Sequence, residues 1–328
     1  MTNRQHPLGS GFTAASTATD VLAGIDLAGR QIVVTAGHVG LGLETTRALS
    51  RAGASVVIGA RSPGRAAAAV ADLPGVEARP LDLLDPRSVD AFAEAYLDTG
   101  RPLHALINNA GIMGGPLVRD GRGYEAQFAT NHLGHFRLTD GLLPALRAAS
   151  GARVVEVSSW GHHLSDIRWG DPHFEDGAYD GMVAYGQSKT ANVLFAVELD
   201  RRWSNDGIRG YALHPGGIID TNLAPSITDE QWQLMGLIDE HGKVVNDPDR
   251  DLKTPMQGAS TSVWAATSPL LDGIGGVFLQ NNDIAPLEDI DAPLSIDFGS
   301  GPLQTSVGVT RYAVDPESAQ RLWDLSEK

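Results

Sequence analysis

From Gln31 onward, short apolar runs alternate with stretches of helical periodicity. QIVVT (31–35) is followed by LETTRALSRAG, SVVIGA (55–60) by GRAAAAVADL, and VEARP (76–80) by a stretch that opens at Asp85 and Pro86. Asp85 followed by Pro86 is a good N-cap and first-turn pair. The alternation continues through LHALIN, an amphipathic stretch from about Tyr124 to Leu146, RVVEVSS, a helix from near Val183 to Trp203, IRGYALH, a helix opening at Thr254 and Pro255, and a last strand near GGVFL. Short, near-continuous apolar runs suit strands covered on both faces, and strand–helix alternation signals repeated βαβ units. The pattern predicts an α/β fold: a doubly wound, mostly parallel seven-stranded sheet of Rossmann type with helices on both faces.

No period of 20 to 50 residues recurs and no low-complexity linker divides the chain. Residues 25–328 therefore read as one domain, preceded by an arm at 1–24. Two stretches break the rhythm, at 160–182 and at 222–253, the second carrying Trp232, Met235, Leu237 and Ile238. Both follow strand ends on the edge where open α/β sheets bind ligands, so they are candidate walls or lids of a substrate pocket. Surface insertions packed on the domain are the alternative.

Composition changes the picture in what it excludes. The 328 residues are 42% hydrophobic, enough for a substantial core, and 25 basic against 40 acidic residues give a net charge of −15. Such a surface repels a phosphate backbone, which argues against a nucleic-acid partner. With no cysteine there is no disulfide, thiolate chemistry or cysteine-ligated metal. The first thirty residues hold no apolar run of signal-peptide length, and no segment reaches ~18 uninterrupted apolar residues. The expectation is a cytoplasmic protein without a membrane span.

Candidate chemistry begins at the first strand–helix junction, TAGHVGLG (35–42). Gly37, Gly40 and Gly42 would let the backbone approach a pyrophosphate, and the next helix would aim its unpaired N–H groups at the anion. His38, Val39 and Leu41 complete this turn. The second strand ends in Ala60 and Arg61. An acidic residue there would bind ribose hydroxyls, whereas a basic one suits a 2′-phosphate, so NADP(H) is favoured and NAD(H) stays possible.

Tyr185 and Lys189 stand four apart in YGQSK, which places them on one helix face. A phenol with a pKa near ~10 works as an acid/base at neutral pH only if a nearby cation favours its phenolate. Ser158 and Ser159 end RVVEVSS at the sheet's carboxyl edge, where a hydroxyl could hydrogen-bond a substrate oxygen. Asn131 lies within a helical stretch at a cost in propensity that a specific role would explain. His162 and His163 have no converging carboxylate in the sequence and read as polar loop residues, with pocket lining the lesser alternative. No metal is needed.

These residues together resemble the short-chain dehydrogenase/reductase family, whose phosphate turn reads TGxxxGxG. Here Ala36 occupies the first glycine position and Gly37 follows it. The long gap from Trp160 to Ala184 is similar to the retinol-dehydrogenase-like branch, and STATDVLAGIDLAGRQIVVTAG, TPMQGASTSVWAATSPLLDGIGG and YAVDPESAQRLWDLSEK resemble its bacterial members. The resemblance implies that Ser159 is the catalytic serine and that Asn131 helps hold a water behind Lys189. It further implies that Asp82 and Leu83 border the adenine, that Asn109, Ala110 and Gly111 of NNAG line the cofactor, and that Pro215, Gly216, Ile218 and Thr221 cover the nicotinamide. The implied reaction is hydride transfer between the nicotinamide and an alcohol or carbonyl substrate, with Tyr185 exchanging the proton, Ser159 steadying the oxyanion, and Lys189 tuning Tyr185 and contacting the ribose. The apolar residues of 222–253 point to a bulky hydrophobic substrate. A non-catalytic nicotinamide-binding sensor or scaffold, which Ala36 would indicate, stays open, as does a sugar-nucleotide epimerase or dehydratase. In similar proteins the helices around 124–146 and 183–203 pair into dimers, so a homodimer is expected, with Leu194, Phe195 and Val197 serving either the interface or the core.

Overall fold

The structure, a computed structural model, describes residues 4–219, 223, 228–294 and 306–328; Thr221 lies outside the described residues. One sheet organises the chain. Its strands are β1 (Gln31–Thr35), β2 (Ser55–Ala60), β3 (Val76–Pro80), β4 (Ala105–Asn108), β5 (Arg153–Val157), β6 (Arg209–His214), β7 (Val277–Gln280) and β8 (Asp283–Ile284). They lie in the order β3-β2-β1-β4-β5-β6-β7-β8. Neighbours pair in parallel up to β7, and β8 runs antiparallel to β7. Among the described residues the sheet thus has eight strands rather than the expected seven. Asn281 and Asn282 take left-handed φ values of 55° and 62°, which close a two-residue hairpin and return the chain along β7.

Helices cover both faces. α1 (Ala18–Val21), α2 (Gly40–Arg51) and α3 (Pro63–Ala69) are followed by α4 (Pro86–Leu97) and by the short pieces α5 (Ala126–Phe128), α6 (Gly134–Gly141) and α7 (Leu143–Ala148). Then come α8 (Gly181–Trp203), α9 (Asp229–Leu234), α10 (Pro255–Thr267) and α11 (Pro316–Ser326). Strand alternation separates the two cores. Ile32 and Val34 join Leu49, Val263 and Trp264 on one face, while Val33 joins Phe92, Phe136 and Phe195 on the other. Among the described residues, no helix is long and apolar enough to cross a membrane. Gln5, near the start of the described residues, is docked: its amide donates to the carbonyls of Phe278 and Ala285 and accepts from the Phe278 N–H.

The stretch read as one helix from 124 to 146 is broken. A π turn at Ala129–Leu133 separates α5 from α6, and Pro144 stands in the first turn of α7. A single-residue widening leaves the apolar rhythm almost unchanged, so periodicity does not report it. The turn carries Asn131.

The outward faces of α6 and α8 are covered by α11. Trp323 packs against Phe136, Trp203 and Phe195 with ring centroids 4.9, 5.3 and 5.7 Å apart. Leu194 and Phe195, which the sequence leaves between interface and core, are buried in the core. Replacing Trp323 with Ala should lower unfolding free energy by about 3–5 kcal/mol, read from denaturant titration. A loss below ~1 kcal/mol would show that α11 does not complete this core.

Candidate active site

The chain runs outward from β1 to β3, then crosses back to place β4 on the other side of β1. At this switch point the carboxyl ends of the strands diverge and leave a crevice. The cleft there has a volume of ≈ 680 Å³ and is lined along one wall by His38, Val39, Gly40, Leu41 and Gly42. α2 begins at its foot. Val39 precedes the helix in extended conformation and makes no side-chain capping bond, so the first-turn N–H groups are left for an anion. Gly42 is required by packing: a Cβ there would lie 2.4 Å from the Ala36 carbonyl oxygen and 2.5 Å from Asn109 Nδ2. Gly37 differs from the sequence expectation. It does not line the cleft but turns inward, where a Cβ would lie 2.3 Å from Ile58 Cγ2 and 2.6 Å from Thr46 Oγ1. Ala36 has φ of 53°, a left-handed conformation costing a non-glycine residue roughly 1–2 kcal/mol, and the turn forms around it nonetheless.

At the end of the cleft beside β2 and β3 stand Arg61, Asp82 and Leu83, with Ser62 and Arg65, which sequence reading did not single out. Arg65 follows Arg61 by one helical turn at the start of α3, a spacing that could have drawn notice. Asn109, Ala110, Gly111, Pro215, Gly216 and Ile218 line the remainder.

Ser159, Tyr185 and Lys189 converge in the same cleft. Asp180 caps α8 through the N–H groups of Met182 and Val183, which places Tyr185 and Lys189 on successive turns. The Trp160–Leu164 turn can lie against α8 because Gly161 has no Cβ; one would meet Tyr185 Cε1 at 2.7 Å. Ser159 Oγ accepts the Gly161 N–H at 3.0 Å and faces the Tyr185 phenol, whose ionised form it favours. Burial pushes that phenol up to about 12, against the pull of Ser159. The Lys189 ammonium lies 5.5 Å from the Tyr185 ring centre and donates to the Val157 carbonyl at 2.9 Å. Burial draws it down to about 8, opposed by Glu156.

Asn131 sits behind this group, outside the cleft lining. Its side chain accepts from Ile112 N and donates to Ile112 O and Ser188 Oγ, at 2.9, 3.0 and 2.9 Å, so it fixes the strand end that follows β4. Its backbone carbonyl accepts from His135 Nδ1.

Comparison with known proteins agrees with this geometry. The short chain dehydrogenase family profile matches residues 30–171. A Streptomyces lividans protein named a probable oxidoreductase is 46% identical, over 92% of this chain and 97% of its own. A short-chain dehydrogenase/reductase of Penicillium roqueforti is 35% identical, over 96% and 90% of the two chains. The chain belongs to the short-chain dehydrogenase/reductase family. An uncharacterised Mycobacterium paratuberculosis protein of known structure superposes with a TM-score of 0.68 at 34% identity, covering 96% of each chain.

No residue of 160–182 lines the cleft, and of 222–253 only Leu223 does among the described residues. Met235 and Ile238 are buried, the latter bridged to Val244. His162 and His163 are also fully buried away from the cleft. They accept no ligand position there; their ring nitrogens lie against the Ser159 and Trp160 carbonyls, and His163 Nε2 meets Glu288 at 2.5 Å, which ties the serine turn to the C-terminal segment.

Sequence reading missed a buried charge cluster under the Pro215–Gly217 loop. His214 Nδ1 accepts the Trp160 N–H, and its Nε2 lies 2.9 Å from Asp251 Oδ2. Lys253 Nζ lies 3.1 Å from Asp251 Oδ1 and donates to Asn281 Oδ1. Burial would raise the Asp251 carboxyl, but His214 and Lys253 hold it down to about 2. Backbone bonds between Gly217 and both Asp251 and Lys253 complete the join. Removing one partner of a buried pair strands the other charge, so Lys253→Met should cost about 3–5 kcal/mol in denaturant unfolding. Wild-type stability in that variant would show that Asp251 is compensated by His214 alone.

Proposed function

We propose that this oxidoreductase transfers a hydride between NADP(H) and the carbinol carbon of a hydrophobic alcohol, ketone or aldehyde, with Tyr185 as acid/base. The observation that carries the reading is the convergence of Ser159, Tyr185 and Lys189 in one cleft with the uncapped start of α2. The residues fit a dinucleotide. Unpaired N–H groups face the position of its diphosphate, and Arg61 and Arg65 stand at the adenosine end, neither with an ion-pair partner among the described residues. Two guanidiniums there favour a 2′-phosphate over bare ribose hydroxyls. When bound, the nicotinamide supplies the hydride carrier and, in its oxidised form, a positive charge.

The chain's own groups then divide the work. Ser159 donates to the substrate oxygen and orients it toward Tyr185. In carbonyl reduction the phenol gives its proton to that oxygen as the carbon receives the hydride; in alcohol oxidation it takes the proton back. Because burial keeps the resting phenol protonated, reduction needs no prior ionisation. Lys189 supplies the positive charge that makes the phenolate accessible. Ile112 at the cleft mouth, with Leu117 and Val118 exposed on the same loop, favours an apolar substrate. Ala36 gives the sensor reading no support, since the turn forms with alanine in place. The net charge and the cysteine-free composition fit a cytoplasmic enzyme of small molecules.

Tyr185→Phe should lower NADPH-dependent reduction of hydrophobic ketones and aldehydes by ~10²–10⁴-fold while NADPH binding, followed by nicotinamide fluorescence, stays near wild type. NADPH should also bind more tightly than NADH. Binding of neither cofactor would sink the reading; tight binding with no turnover across the panel would favour a sensor.

A further inference from the structure

Beneath the catalytic residues lies an ionisable group that the mechanism does not use. Glu156 lies on β5, on the sheet face shared with Val154 and turned toward α6 and α8, and it is fully buried. Asn108 Nδ2 donates to Glu156 Oε1 at 2.5 Å and to Thr139 Oγ1 at 3.1 Å, and Thr139 Oγ1 donates to the His135 carbonyl. Two acceptors in this layer are left without a donor: Glu156 Oε2 and Asn108 Oδ1. They belong to the two groups already joined by one hydrogen bond. A carboxylate leaves both unsatisfied, which is costly in a dry interior. A proton on Oε2 would turn one of these acceptors into a donor, and sharing it toward Asn108 Oδ1 would satisfy both in a cyclic carboxyl–amide pair.

We propose that Glu156 is held as a neutral acid paired with Asn108 and acts as a positioning residue for charge: while it keeps its proton, Lys189 is the single net charge in the buried layer below Tyr185. The proposal rests on the catalytic reading only for its effect on Tyr185. Burial pushes the Glu156 carboxyl up to about 8, opposed by the Asn108 bond and by Lys189. The titratable groups packed against this layer are Lys189 from α8 and His135 from α6; β4 contributes Asn108 and β6 contributes Ala212 opposite Glu156. His135 is fully buried and pushed down to about 4, so it stays neutral through the relevant range. As pH rises, one proton leaves the Glu156–Lys189 couple to solvent, and the net positive charge below Tyr185 is lost whichever group releases it. With Glu156 present two sites can release that proton; with an amide in its place only Lys189 can.

Glu156→Gln preserves the cyclic pairing, since the new amide donates to Asn108 Oδ1 and accepts from Asn108 Nδ2. Three readouts follow. The infrared spectrum of wild-type protein at neutral pH should contain a protonated-carboxyl C=O stretch that is missing from Glu156→Gln. Thermal stability relative to Glu156→Gln should decline as pH rises from about 4.5 to about 8, because over that window the unfolded state has lost the proton that the folded state retains. In alcohol oxidation, the alkaline limit of kcat should move to higher pH in the variant. If Glu156→Gln does not fold, Glu156→Met, close in volume and with nothing to titrate, serves for the first two. Loss of no carboxyl band, a flat stability difference, or an alkaline limit that moves down would each overturn the proposal and make Glu156 an ionised partner that sustains the Lys189 charge. The infrared and stability readouts need no turnover, so failure of the catalytic reading leaves them intact.

Discussion

The Thr35 hydroxyl at the end of β1 fixes the geometry on which the cleft depends. It accepts the N–H groups of Asn109 and Ala110, at 2.9 and 2.8 Å, which holds the chain leaving β4 against β1. His135 Nδ1 faces the Asn131 carbonyl, which can only accept, so the proton lies on Nδ1 and Nε2 is the acceptor for Thr35. This works only with a neutral imidazole, and complete burial keeps it so. One hydroxyl therefore joins the two strands of the switch point to α6. The Asn109 amide adds a bond to the Thr35 carbonyl, and in the adjoining turn Gly42 leaves room where any Cβ would collide with Ala36 and Asn109.

Around that join the interior is unusually polar for a sheet edge. Asn108, Glu156, Asn131, Lys189, His214, Asp251 and Lys253 are all buried. Each such group must be matched, because an unmatched one costs far more than a matched one returns. Matching is what orders the wall of the cleft. The Lys189 ammonium is tethered to Val157, the Asn131 amide to Ile112, and the His214 ring to the peptide that follows Ser159. Of the three, Lys189 lines the cleft, and Asn131 and His214 hold the segments around it from behind.

Much of this was legible in the sequence because local patterns specify it. Strands β1 and β2 begin and end where their apolar runs do, β3 spans VEARP as read, and Asp85 caps α4 as its position before Pro86 implied. The YGQSK spacing and the serine at the end of β5 brought Tyr185, Lys189 and Ser159 together. What escaped depended on partners far apart in the chain. Nothing local distinguishes Lys253 from a solvated lysine until Asp251 and His214 close over it. Gly37 looked like part of a phosphate turn, yet its constraint is Ile58 on the neighbouring strand. β8 has only two residues, and its signal was the Asn281–Asn282 pair rather than any apolar run. Nor does anything local in YAVDPESAQRLWDLSEK show that its Trp323 packs against Phe136 and Phe195 of the helices expected to meet a second subunit.

The central claim is that a dinucleotide lies across the switch point with its diphosphate at the uncapped start of α2. Amide hydrogen exchange with and without NADPH tests this most directly. Slowed exchange at residues 38–42 and 109–112, with little change around α9, is the result the account predicts. Unchanged exchange in the turn, with protection elsewhere, would contradict it.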